Sequence, residues 1–171
     1  VGRAKGYTDY PVVMADHGQT RVHHASSLAA VYSGVDGVLP LASNRAAHVY
    51  LQPGCRLDPR AVAARLDHLA AAEIILFREG GDAVARREGE ELVFAPDAGG
   101  GFSLSGDASI LGYPDALTRT WAALANPNAG EVLVSAAEGH EFADLGGGSH
   151  VGGGSHGSLV TGDSEVPLLT V

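Results

Sequence analysis

Two groups of residues in this sequence are suited to holding a metal ion. The first is Asp16-His17-Gly18, which closes a short apolar run. A carboxylate oxygen beside an imidazole nitrogen is a donor pair that zinc or manganese accepts. Neighbouring side chains point to opposite sides of an extended strand, so these two converge only if the chain turns at once. Gly18 permits that turn. The plain alternative is a satisfied Asp–His pair at a strand end. The second group is a doubled Gly-Gly-Ser-His, at residues 147–150 and 153–156, with Gly157 after the second copy. Glycines let the backbone pass close to a bound ion or phosphate. The plain alternative, a flexible linker with incidental histidines, is weakened by the flanking apolar segments and by Asp163-Ser164-Glu165-Val166-Pro167 downstream.

The elements that must position these groups can be read from pattern. Residues 12–15 (Val-Val-Met-Ala) form a continuous apolar run, as expected of a strand buried on both faces. Open α/β sheets place their sites at the C-terminal ends of such strands, where Asp16 and His17 fall. Residues 26–32 suit a short helical turn, and 46–51 a strand. Asp58-Pro59 opens a helix with a good N-cap and a proline in the first turn. Leu57 and Val62 have staple spacing, and Val62, Leu66 and Leu69 form an apolar stripe. Strands follow at 73–77, 83–87 and 92–94, separated by Gly80-Gly81-Asp82 and Glu88-Gly89-Glu90. Residues 41–105 therefore read as a small α+β subdomain between two core segments, 1–40 and 106–171. Residues 97–107 read as a loop. Tyr113-Pro114-Asp115 opens a second helix with Leu117, Trp121 and Leu124 on one face, ended by Asn126-Pro127. Residues 131–135 and 166–171 read as strands.

The totals narrow the function classes. At 171 residues the chain suits one or two domains, and its 45% apolar content supports a real core. The net charge is −9, from 20 acidic and 11 basic residues, with no basic cluster beyond Arg86-Arg87. A phosphate-neutralising face for nucleic acid is not expected. No apolar run approaches the roughly 20 residues that span a bilayer. One cysteine, Cys55, allows no intrachain disulfide, which fits a reducing, cytoplasmic setting. The chain opens on Val1, and both ends lie close to strand-like runs. It is expected to be the C-terminal portion of a longer polypeptide, whose upstream part could carry any targeting segment.

The order Ala-Asp-His-Gly-Gln-Thr (15–20), Gly-Gly-Gly-Ser-His-Gly-Ser (152–158), Asp-Ser-Glu-Val-Pro-Leu-Leu (163–169) resembles the alkaline phosphatase superfamily. The nearest branch is the type I phosphodiesterase/nucleotide pyrophosphatase group. The resemblance implies an α/β fold with a mostly parallel sheet and residues 41–105 as an inserted cap. It implies a phosphoric-ester hydrolase with two divalent metals, zinc or manganese. Asp16 and His17 would ligate one metal and His156 the other, with His150 as an outer-shell partner. Asn44 and Arg45 are candidate substrate contacts. The Thr or Ser nucleophile and the remaining ligands of that family precede the Asp-His-Gly motif, and Thr8 and Asp9 stand too close to it to serve. The remainder of the parent polypeptide is thus expected to complete the site, and this chain alone to be inactive. Two alternatives stand beside that expectation: sulfatase or phosphomutase chemistry on the same scaffold, or a non-catalytic metal-binding or interaction module.

Other residues read as structural. His140 is expected near the site without ligating. His23 and His24 are expected on the solvent or substrate side, His48 in a strand, and His68 on the first helix. Cys55 has no neighbouring base in sequence to activate it.

Overall fold

The computed structural model describes residues 12–170. The expected beginning of the first run, Tyr10-Pro11, the excluded pair Thr8 and Asp9, and the last residue, Val171, lie outside the described residues. In chain order the elements are β1 (Val12–Met14), β2 (Thr20–Arg21), β3 (His24–Ser26), α1 (Leu28–Val31), β4 (Val38–Ser43), β5 (Ala46–Leu51) and α2 (Pro59–Ala64). Next come β6 (Ala72–Glu79), β7 (Asp82–Arg87), β8 (Glu90–Pro96), β9 (Phe102–Gly106), a 3-10 turn at Ala108–Leu111, and α3 (Ala116–Ala125). The chain finishes with β10 (Val132–Ala136), β11 (His140–Phe142), β12 (Gly154–Ser155), α4 (Thr161–Ser164) and β13 (Leu168–Thr170).

The main sheet has seven strands in the order β4-β5-β10-β6-β7-β8-β9, and every pair in it is antiparallel. This overturns the mostly parallel sheet implied by the resemblance. The turns give the physical reason. Tight connections join β4 to β5 through Asn44-Arg45, β6 to β7 through Gly80-Gly81, and β7 to β8 through Glu88-Gly89. Asn44 (φ 57°), Glu88 (φ 51°) and Gly89 (φ 88°) take the left-handed conformations that such turns use. Two-residue connections permit only antiparallel neighbours. The crossover β5-α2-β6 does bring two strands into the same direction, but β10 lies between them and runs against both. In the described residues only β3 and β11 pair in parallel. The sheet also runs across the boundaries read at 41 and 105, since β4 begins at Val38 and β10 sits near its middle.

Both faces of this sheet are covered. Along β10, Val132 and Val134 face the side carrying Val62 and Leu66, while Leu133 faces the side carrying Ile110, Leu117 and Trp121. Along β6, Ile75 and Phe77 share the first side, and Ile74 and Leu76 the second. This explains why 74–77 and 132–134 read as unbroken apolar runs. Each such side chain contributes about 1.5–3 kcal/mol on burial. α2 is capped as its sequence predicts, with the Asp58 carboxylate accepting from the Ala61 N–H at 2.7 Å. The stretch read as a loop at 97–107 instead contains β9, an edge strand whose serines face solvent while Phe102 packs 5.9 Å from Phe94.

The run at 12–15 is a strand, but not a buried one. β1 pairs only with β13, and Val12, Val13 and Met14 are 59%, 57% and 64% exposed. Leu168 and Leu169 are similarly exposed. No layer formed by the described residues covers this two-stranded ribbon, so its apolar composition does not translate into burial. No described helix is long and apolar enough to cross a membrane.

Candidate functional site

Asp16, His17 and Gly18 form a sharp turn after β1. His17 N–H donates to Asp16 Oδ1 at 3.1 Å, and the Gly18 N–H donates to the Asp163 carbonyl at 3.0 Å. A side chain at Gly18 has no room: a Cβ there would stand 2.0 Å from the Gly162 carbonyl oxygen. The imidazole Nδ1 of His17 lies 2.8 Å from the Gly18 carbonyl, which can only accept. A proton on Nδ1 would donate there, and the neutral tautomer that carries it leaves the Nε2 lone pair free for a metal. Nε2 sits 3.7 Å from Asp16 Oδ2, and both side chains reach solvent.

His156 arrives from the other end of the chain. β12, which precedes it, pairs with β2, just past the Asp-His-Gly turn. The result is a direct stack of His17 on His156, with ring centroids 3.6 Å apart and planes inclined by 15°. Asp16, His17 and His156 line a cleft of about 410 Å³ together with Pro114, Asp115 and Arg119.

Asn44 and Arg45, the candidate substrate contacts, both meet His156. The Arg45 N–H donates to the His156 carbonyl at 3.0 Å, and the Arg45 carbonyl accepts from Ala136 at 2.9 Å. The Arg45 side chain is fully buried. Its Nε donates to Asp163 Oδ2 (2.8 Å), Nη1 to the His140 carbonyl (2.7 Å) and Nη2 to Ser158 Oγ (3.1 Å). Asn44 Nδ2 lies 3.4 Å from His156 Nε2, where it orients the ring.

Asp163 is the centre of this support and was not singled out by sequence. It accepts from Thr20 Oγ1 (2.5 Å), from Arg45, and from both the N–H and the hydroxyl of Ser158 (2.8 and 2.7 Å). One carboxylate thus ties the Asp-His-Gly turn, the β4–β5 hairpin and the His156 loop together. Burial opposes its ionisation, but the hydrogen bonds from Thr20, Ser158 and Arg45 outweigh burial and hold its carboxyl below the usual range. The available signal was an Asp inside a recognised motif with no metal role assigned to it.

His150 lies away from the cleft. Its backbone N–H and its Nδ1 both meet the buried carboxylate of Glu141, the latter at 3.0 Å. The first Gly-Gly-Ser-His copy therefore satisfies a buried charge. His24 and His140 face each other across β3 and β11, with ring centroids 5.1 Å apart. His48 Nδ1 accepts from the Gly130 N–H at 3.0 Å, and His68 is exposed just beyond α2.

His140 gives a pH signature. Burial, then the charges of His24 and Arg45, push its pKa below the ordinary histidine value. An unfolded chain near pH 6 binds a proton that the folded one refuses, so this contribution is whole above about pH 6.5 and shrinks as pH falls below it. His140→Phe should lose less stability between pH 7 and pH 5 than the parent, read from urea midpoints. Equal losses in the two proteins would remove His140 from the account.

In the described residues no group of three or more His, Cys, Asp or Glu side chains is gathered around a common point. No protein-family model matches this chain, and no curated protein or solved structure matches it.

Proposed function

We propose that this chain carries the C-terminal metal-binding wall of a two-metal phosphoric-ester hydrolase, with the nucleophile and the remaining ligands supplied from outside it. The observation that supports the reading most is the stack of His17 on His156 beside Asp16. Two remote stretches of sequence bring the exposed Asp16 and His17 and the half-buried His156 to the lining of one cleft.

The donor set fits the metals. Two ligands of one tetrahedral zinc stand about 3.3 Å apart at bond lengths near 2.0–2.1 Å. The 3.7 Å between His17 Nε2 and Asp16 Oδ2 is close to that span. In-plane lone pairs on two nearly parallel rings do not meet at one ion. Rings stacked at 3.6 Å instead suit two neighbouring ions, and two-metal hydrolases keep theirs about 3.5–4 Å apart. Such ions neutralise phosphoryl charge and activate a hydroxyl or water. The residues of this chain would hold them: Asp16 and His17 on one side, His156 on the other, steadied by Asn44 and the Arg45–Asp163 pair. Three side chains are too few for two closed coordination spheres, which is why the site is assigned to a larger assembly.

Zinc affinity of the purified chain, measured by competition with a chromophoric chelator, tests this. Asp16→Asn, His17→Ala and His156→Ala should each weaken binding beyond the about 10- to 100-fold that loss of an outer-shell partner costs. His68→Ala should change nothing. Equal affinities across all four variants would dismiss the reading. Nitrophenyl phosphate turnover by the chain alone is expected to be negligible.

A further inference from the structure

We propose that Arg119 is the anion-recognising residue of this cleft and takes the phosphoryl oxygens of the substrate through its unused Nε–Nη2 edge. The inference rests on the metal-site reading above and adds the substrate-binding group that sequence had placed at Asn44 and Arg45.

Arg119 lies in the first turn of α3 and lines the same cleft as the stacked histidines. Its Nη1 is pinned twice, by the Pro114 carbonyl at 3.0 Å and by Ser164 Oγ at 2.9 Å. The guanidinium is therefore fixed in place before any ligand arrives, which lowers the entropic cost of binding. Nε and Nη2 meet no hydrogen-bond acceptor from the described residues. These two donors share one edge of the planar group, the parallel pair that matches two oxygens of a phosphate. Arg45 is the contrast, since its Nε, Nη1 and Nη2 are all engaged and it faces the interior.

The backbone beside it is consistent with a binding role. Asp115 takes a left-handed conformation (φ 49°, ψ 29°) at the start of α3 yet makes no side-chain cap bond. Its carboxylate is therefore left uncommitted to the helix and exposed at the cleft. The charge balance also fits. Asp16 and Asp115 carry two exposed negative charges into the cleft against one positive charge on Arg119, while Asp163 is already paired with Arg45. Alone, that balance disfavours an anion. One divalent cation reverses its sign, so metal and phosphate should bind cooperatively.

Titration of the purified full chain with inorganic phosphate, with and without saturating zinc, tests this. The parent should bind phosphate more tightly with zinc present. Arg119→Gln should weaken that binding by about 10- to 100-fold, the value of a charge-assisted pair, without changing zinc affinity. Arg119→Lys should fall between, keeping the charge but losing the planar edge. A readout that needs no variant is phenylglyoxal labelling of the parent, mapped by peptide: phosphate should slow labelling at Arg119. Phosphate binding that survives Arg119→Gln unchanged, or labelling at Arg119 that phosphate does not slow, overturns the proposal. Should zinc fail to bind while Arg119-dependent phosphate binding persists, the metal reading falls and the assignment of Arg119 stands.

Discussion

Asp163→Ala should cost about 3–5 kcal/mol of folding stability, the range for removing one partner of a buried ion pair. Domains of this size are stable by about 5–15 kcal/mol, so the variant should approach unfolding at room temperature. The loss comes from what remains. The Arg45 guanidinium stays in a fully buried position with its Nε no longer matched by a charge, and Ser158 and Thr20 lose their common acceptor. The pH dependence has a definite sign. Hydrogen bonding holds the Asp163 carboxyl below its ordinary pKa despite burial. Its stabilisation is therefore whole above the unfolded value of about 3.9 and disappears as pH falls through the folded one. Urea unfolding at pH 7 and pH 3 checks both points: the parent should lose stability on acidification, and Asp163→Ala should lose less. Replacing both partners, Arg45→Met with Asp163→Leu, should recover part of the deficit, since no unpaired charge is then left inside. A cost below about 1 kcal/mol for Asp163→Ala would mean that this carboxylate does not hold the site together.

The sequence carried the local chemistry well and the long-range pairing poorly. Asp58-Pro59 and the Leu117–Trp121 face predicted helices that the fold contains, because caps and helical spacing are local; of the stripe Val62, Leu66 and Leu69, only Val62 lies in α2, which ends at Ala64. The strands read at 46–51 and 131–135 were legible for the same reason, the second lying one residue further on, at 132–136. Their partners were not. An unbroken apolar run marks a strand covered on both faces, and that cover arises equally from helices on a parallel sheet or, as here, on an antiparallel one. The turn residues between β6 and β8 already pointed to antiparallel neighbours. The resemblance in motif order suggested a parallel sheet, and the strand pairing followed the turns. At 12–14 the pattern had no power at all, since exposure depends on what lies against the strand.

The site divides in the same way. Asp16, His17 and His156 were legible as residue types, and the fold brings all three to the lining of one cleft. Arg45 was offered with Asn44 for its place at the start of the 41–105 segment, but position does not reveal side-chain direction, and its guanidinium is buried against Asp163. Nothing local in the sequence marks Arg119, and the pinning by Pro114 and Ser164 distinguishes it only in the fold.

Gly18→Ala should destabilise the chain by about 3 kcal/mol or more and weaken zinc binding along with it. A Cβ at Gly18 would lie 2.0 Å from the Gly162 carbonyl oxygen and 2.9 Å from that of Glu165. Neither obstacle is a flexible side-chain end; both are backbone, in the segment that presents Asp163. Clearing the clash requires a shift of about 1 Å between the Asp-His-Gly turn and α4, at the upper end of the about 1–3 kcal/mol typical of overpacking. The same shift stretches the Gly18 N–H to Asp163 carbonyl bond and moves Thr20 from the carboxylate. Asp16 and His17 ride on that turn, so their donors move away from His156. Gly81→Ala is the control: its backbone is ordinary, nothing lies within 4 Å of the added carbon, and its effect should stay within about 0.5 kcal/mol. Thermal melts and chelator competition on the pair separate the cases. If Gly18→Ala melts with Gly81→Ala and binds zinc equally well, the turn and α4 are not in contact. The donors would then have no fixed relation to the buried Asp163 hub.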